Sequence, residues 1–143
     1  MTRYLLDTDI ISEARRPIPS ASVVDWLGRQ TNEALFIATF TLAEIRRGIL
    51  QRAEGRKRQK LEDWYAGPNG PVRLFAGRTL VFGVQEAAEW ARLMADGHLS
   101  GRPRSPIDMI LAATAIANDC IVVTANEQRF EGTVALLNPT RPT

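Results

Sequence analysis

The chain of 143 residues has one cysteine, Cys120, and one histidine, His98. These two scarcities exclude a disulfide scaffold, an all-cysteine zinc site and any centre that needs two imidazoles, the His-x-x-x-His metalloproteases included. A chain with so little cysteine is expected in a reducing compartment, the cytoplasm. Long hydrophobic runs are also missing: no stretch approaches the ~20 apolar residues of a membrane helix. The opening MTRYLLDTDII meets an acid too early to read as a signal peptide, so no membrane association is expected. Lysine is nearly absent. Only Lys57 and Lys60 occur among 18 basic residues, and the rest are arginine. Against 16 acids this leaves a net charge of +2, which by itself neither selects nor excludes nucleic acid.

What is present is the composition of an ordinary folded domain, 45% hydrophobic and 24% charged. The length fits one domain, residues 1–143, with no linker or repeat. Short apolar runs alternate with helical patterns. Residues 3–6, 34–38, 78–82, 120–124 and 133–137 read as strands. Helices are expected from Asp9 to before Pro17, after Ser20 or Ser22, and over 39–52, 57–65, 85–95 and 107–117. The stretches 67–71 and 97–103 read as breaks, with His98 on a surface loop. Strands that are apolar throughout are covered on both faces, as in a parallel α/β sheet.

In such a sheet the functional crevice lies beyond the carboxyl ends of the strands. Asp7-Thr8-Asp9 follows the first strand, Thr41-x-x-Glu44 follows the second, Asp108 opens the helix before the fourth, and Thr124-Ala-Asn126-Glu127 follows the fourth. Each also has a structural reading. Asp9 can cap the first helix, Thr41 and Glu44 match a capping box, and Ser105-Pro106-x-Asp108 is a helix start. Asp7 has no such role if Asp9 is the cap. Three carboxylates gathered at one edge repel unless a cation joins them, and this composition leaves only oxygen ligation, the chemistry of Mg²⁺.

Four segments in order, Tyr4 to Glu13, Thr41 to Gly48, Pro106 to Ala115 and Val123 to Phe130, resemble the PIN-domain ribonucleases, and within them the VapC/FitB toxins of type II toxin–antitoxin pairs. The resemblance implies a three-layer α/β/α domain around a mainly parallel sheet of four to five strands. It implies an endoribonuclease dependent on Mg²⁺ or Mn²⁺, a cognate antitoxin, a homodimer and possibly a toxin–antitoxin hetero-oligomer. By motif, Asp7 and Asp108 are the metal ligands, and Glu44 holds metal or positions water. Thr8, Ser12 and Thr124 supply supporting hydroxyls. Two positions depart from the pattern. Asp9 stands where asparagine is common, and Asn126 stands where many members carry a fourth acid, leaving open one metal or two.

Other readings fit parts of the chain. Asp7 and Asp9 also resemble the first motif of haloacid-dehalogenase-type phosphatases, but no lysine followed by an acidic pair completes that pattern. A PIN domain weakened at Asn126 could act as an RNA-binding adaptor. The cluster Arg46, Arg47, Arg56 and Arg58 is the natural candidate for RNA contact, or else a solvated helix face. Trp64 and Tyr65 are expected in the core or an interface, and Trp26, Trp90 and Cys120 in packed positions.

Overall fold

The computed structural model describes residues 1–141. Five strands form one sheet: β1 (Arg3–Leu6), β2 (Leu35–Ala38), β3 (Thr79–Leu80), β4 (Cys120–Val123) and β5 (Leu136–Leu137). Their spatial order is β3-β2-β1-β4-β5, and every neighbouring pair is parallel. The helices are α1 (Thr8–Arg15), α2 (Ala21–Gly28), α3 (Thr39–Leu50), α4 (Arg56–Ala66), α5 (Pro71–Leu74), α6 (Val84–Leu99) and α7 (Pro106–Ala117).

Side chains on a strand alternate between faces, and here each face has its own core. Leu5, Ala38 and Val122 point into one, packed with Leu93 of α6 and Met109 and Ala112 of α7. Their chain neighbours Leu6, Ile37 and Val123 point into the other, with Ile10 of α1 and Val23 and Trp26 of α2. Trp26 meets Tyr4 edge-on, with ring centroids 5.0 Å apart. The result is the expected α/β/α sandwich. Among the described residues no helix is long and apolar enough to cross a membrane.

Several boundaries differ from the sequence reading. The strands at both edges are short: β3 covers two residues of the expected 78–82, and β5 two of the expected 133–137. The expected loop at 97–103 begins later, because α6 runs on to Leu99 and carries the exposed His98 in its last turn. Gly97 does not break the helix. It is required there because a Cβ would lie 2.9 Å from the Arg102 carbonyl oxygen. The break at 67–71 leads directly into the one-turn α5, with Pro71 at a position that needs no N–H. The capping box at Thr41 does not form. Strand β2 passes into α3 at Ala38 without a loop, so Thr41 lies inside the helix, 1% exposed.

The helix that carries Asp108 is braced by Glu86. At the start of α6, Glu86 accepts from the Gly83 N–H at 2.9 Å and from the amide of Asn118, the C-cap of α7, at 3.0 Å. Burial raises its pKa, but the backbone donors and Asn118 outweigh that and hold the carboxyl below the usual 4.5. A depressed folded-state pKa contributes stability above the unfolded value, and that stability is lost as pH falls through the folded one. Glu86→Ala should therefore cost about 1–2 kcal/mol at pH 7. The difference from wild type should shrink in acid, as urea titrations at the two pH values would show.

Candidate active site

The sheet reverses its strand order at β1, with β2 on one side and β4 on the other, and the crevice of such a sheet lies beyond the carboxyl ends of those strands. Asp7 is the residue immediately after β1. Its N–H continues the ladder to the Val123 carbonyl at 2.9 Å, and its side chain caps α1, with Oδ1 accepting from the Thr8 N–H at 2.8 Å. Thus Asp7, and not Asp9, is the helix cap. Capping does not use up the carboxylate. Asp7 is 1% exposed, and Oδ2 accepts from the Thr124 hydroxyl at 2.9 Å and from Arg129 Nη1 at 2.8 Å.

Asp108 comes from the other side of the crevice. Ser105 caps α7 as expected, accepting from the Asp108 N–H at 3.3 Å, with Pro106 in the first turn. Asp108 Oδ1 accepts from Arg129 Nε at 2.9 Å and lies 2.8 Å from the charged Nη2. A single guanidinium therefore bridges the acids after β1 and at the head of α7. Arg129 lies on a 3-10 turn, Glu127–Phe130, anchored by the fully buried Phe130, whose ring centroid is 4.9 Å from the guanidinium carbon.

Asp9 sits in the first turn of α1. Its Oδ2 accepts from the Ala125 N–H at 3.0 Å and stands 3.4 Å from the Thr124 hydroxyl. Among the described residues its Oδ1 is buried without a hydrogen-bond partner. Burial, followed by the charge of Asp7, pushes its carboxyl above the usual 3.8. Thr124 is the hub of this corner: its hydroxyl meets Asp7 and receives the Asn126 N–H at 3.0 Å.

Glu44 joins the group through Thr8, whose hydroxyl donates to Glu44 Oε1 at 2.8 Å. Glu44, Thr8 and the exposed Ser12 line one small cavity of about 250 Å³. The side chain of Asn126 is exposed, and Glu127 turns away to pair with Arg141 at 2.6 Å. With the guanidinium between the carboxylates, no three acids among the described residues stand close enough to share one ion as they are arranged. The donors nevertheless suit a hard cation: they are carboxylate oxygens, one of them buried and unpartnered, with no imidazole or thiolate beside them.

A groove of about 850 Å³ leads to Asp108, lined by Arg102, Arg104, Ser105, Gln128 and Arg129. The arginines singled out from sequence lie elsewhere, on α3 and α4. Arg46 and Arg58 both pair with Glu62, at 3.3 and 3.4 Å, and Arg46 also stacks over Tyr65. Arg47 and Arg56 are exposed. Trp64 is half-buried beneath Arg15, and Cys120 is buried at the start of β4. Arg129 was not foreseen as a site residue. The available signal was a base one residue before a core aromatic, inside the same segment as Asn126.

The model of the PIN domain matches residues 4–134. The VapC ribonuclease Y4jK of Sinorhizobium fredii is 32% identical, over 96% of this chain and 98% of its own. The toxin FitB of Neisseria gonorrhoeae is 35% identical, over 94% of this chain and 96% of its own. The crystal structure of FitAcB from Neisseria gonorrhoeae superposes with a TM-score of 0.87 at 34% identity, covering 95% of this chain and 97% of that one. With the motifs in order, the sheet in the PIN arrangement and the acids at its carboxyl edge, the chain belongs to the PIN-domain family.

Proposed function

We propose that this chain is a divalent-metal-dependent endoribonuclease and the toxin of a toxin–antitoxin pair. The observation that carries the reading is the meeting of Asp7 and Asp108, 101 residues apart in sequence, on one cation at the carboxyl edge of a parallel sheet. The relatives named VapC ribonuclease and toxin FitB support the activity and the biological role. An antitoxin protein is the proposed partner, with a homodimer as the toxin's own assembly.

In this reading Asp7 and Asp108 would hold Mg²⁺ or Mn²⁺. When bound, the ion supplies a Lewis acid at the phosphodiester and the means to ionise a water at neutral pH. Asp7 is oriented before any ion arrives, because the Thr8 N–H and the Thr124 hydroxyl fix its two oxygens. Glu44, aligned by the Thr8 hydroxyl, orients the attacking water and accepts its proton. Ser12 and Asn126 offer further oxygens at the rim, and Asp9 ties the loop after β4 to α1. The phosphate backbone runs past Asp108 in the arginine-lined groove, with exposed Arg47 and Arg56 as outlying contacts.

Purified chain with Mg²⁺ should cut RNA internally, leave small phosphomonoesters intact and stop when EDTA is added. Turnover of phosphomonoesters without RNA cleavage would instead favour the phosphatase chemistry of Asp7 and Asp9. RNA binding without cleavage would mark the chain as an adaptor.

A further inference from the structure

We infer that Arg129 is an internal competitor for the metal: its guanidinium holds Asp7 and Asp108 together and must leave for a divalent ion to bind. The inference rests on the reading of Asp7 and Asp108 as ligands, and adds a residue that the motif does not assign.

One side chain donates hydrogen bonds to two carboxylates and brings a third nitrogen into ionic contact with one of them. Nη1 lies 2.8 Å from Asp7 Oδ2, and Nε and Nη2 lie 2.9 and 2.8 Å from Asp108 Oδ1. These charge-assisted bonds set the two acids one guanidinium apart. An ion coordinated by the same two oxygens would need the position those donors take up. It would also face a fixed positive charge within a few Å in a partly buried site, where repulsion is poorly screened. Ion and guanidinium therefore exclude one another between these acids.

The arginine has a reason to be there and a place to go. Asp7 is 1% exposed, Asp9 lies beside it, and without a cation the cluster would carry uncompensated buried charge. Arg129 is itself 29% exposed and forms part of the groove wall next to Gln128 and Ser105, so its long side chain can turn outward. The backbone can stay in place, because Phe130 anchors the turn in the core. The consequence is a threshold. The chain folds with its acids neutralised internally, and the ion must outcompete that arrangement before the site is complete.

Mn²⁺ binding to the full chain, read from the free-ion electron paramagnetic resonance signal, tests this without reference to cleavage. R129Q should bind Mn²⁺ about tenfold more tightly than wild type. In EDTA it should melt at a lower temperature than wild type, and it should gain more from added Mn²⁺. R129K, which keeps the charge but loses the fork, should bind with intermediate affinity. A folded R129Q that binds Mn²⁺ as weakly as wild type, or more weakly, overturns the inference. If R129Q does not fold, R129K decides: tighter binding than wild type supports the inference, and equal or weaker binding overturns it. D108N separates the two levels of the argument. If it binds Mn²⁺ as well as wild type, the assignment of the ligands fails, and the competition with it.

Discussion

Asp108→Asn should lower metal-dependent RNA cleavage by about a thousandfold or more while leaving the fold in place. A carboxylate that holds a catalytic cation is worth about 4 kcal/mol of transition-state stabilisation, and each 1.36 kcal/mol is about tenfold in rate. The amide keeps the shape and one acceptor but not the charge. The cost to folding is small because Asp108 is partly exposed and Arg129 still has Asp7 as a partner. Asp7→Asn should lose cleavage to the same degree but destabilise the chain as well. Its carboxylate is buried and accepts from three separate donors, and an amide would turn an N–H toward one of them. Initial rates on RNA, paired with thermal melts, distinguish the two variants. Wild-type cleavage by a folded Asp108→Asn would remove the metal-site reading.

The second large effect belongs to an apolar residue of the core. Phe130 is fully buried in the core between the sheet and α7. Phe130→Ala should cost about 3–5 kcal/mol, from lost burial and the cavity left behind. That corresponds to a fall in melting temperature of about 10 °C or more for a chain of this size. Phe130→Leu, which preserves more of the volume, should cost about 1–1.5 kcal/mol. The alanine variant should also loosen the turn that presents Arg129, because the turn's own backbone bonds, from Arg129 to Asn126 and from Glu131 to Gln128, are long at 3.4 Å. A loss below about 1 kcal/mol in urea titration would show that the ring is not the anchor.

The main layers were legible because their signals are local. Leu5 and Leu6 before Asp7, and Val122 and Val123 before Thr124, announce strands buried on both faces. Ser105-Pro106 announces the start of α7 whatever lies around it. The acids at those junctions could be found because an open α/β sheet places its site there. What stayed hidden depends on distant partners. Arg129 contacts an acid 122 residues away from a turn with no periodicity to reveal it. Gly97 reads as a helix breaker until the approach of the Arg102 backbone explains it. Thr41 and Glu44 match a capping pattern that the missing loop before α3 makes impossible. Asp7 takes the cap expected of Asp9 because α1 starts directly at Thr8, a boundary too fine for sequence patterning.

Asp7 ends the innermost strand, and its amide belongs to the ladder with β4. Fluctuations that would release it must part the centre of the sheet, which is tantamount to global unfolding. Arg129 is 29% exposed on a turn that Phe130 holds in the core, so its side chain can swing aside with no opening of the backbone. The crevice thus has one wall that moves only when the molecule unfolds and another that can yield while it remains folded. A protein built this way cannot be silenced by local melting of its first acid, so any control over it has to act on the yielding wall or from outside.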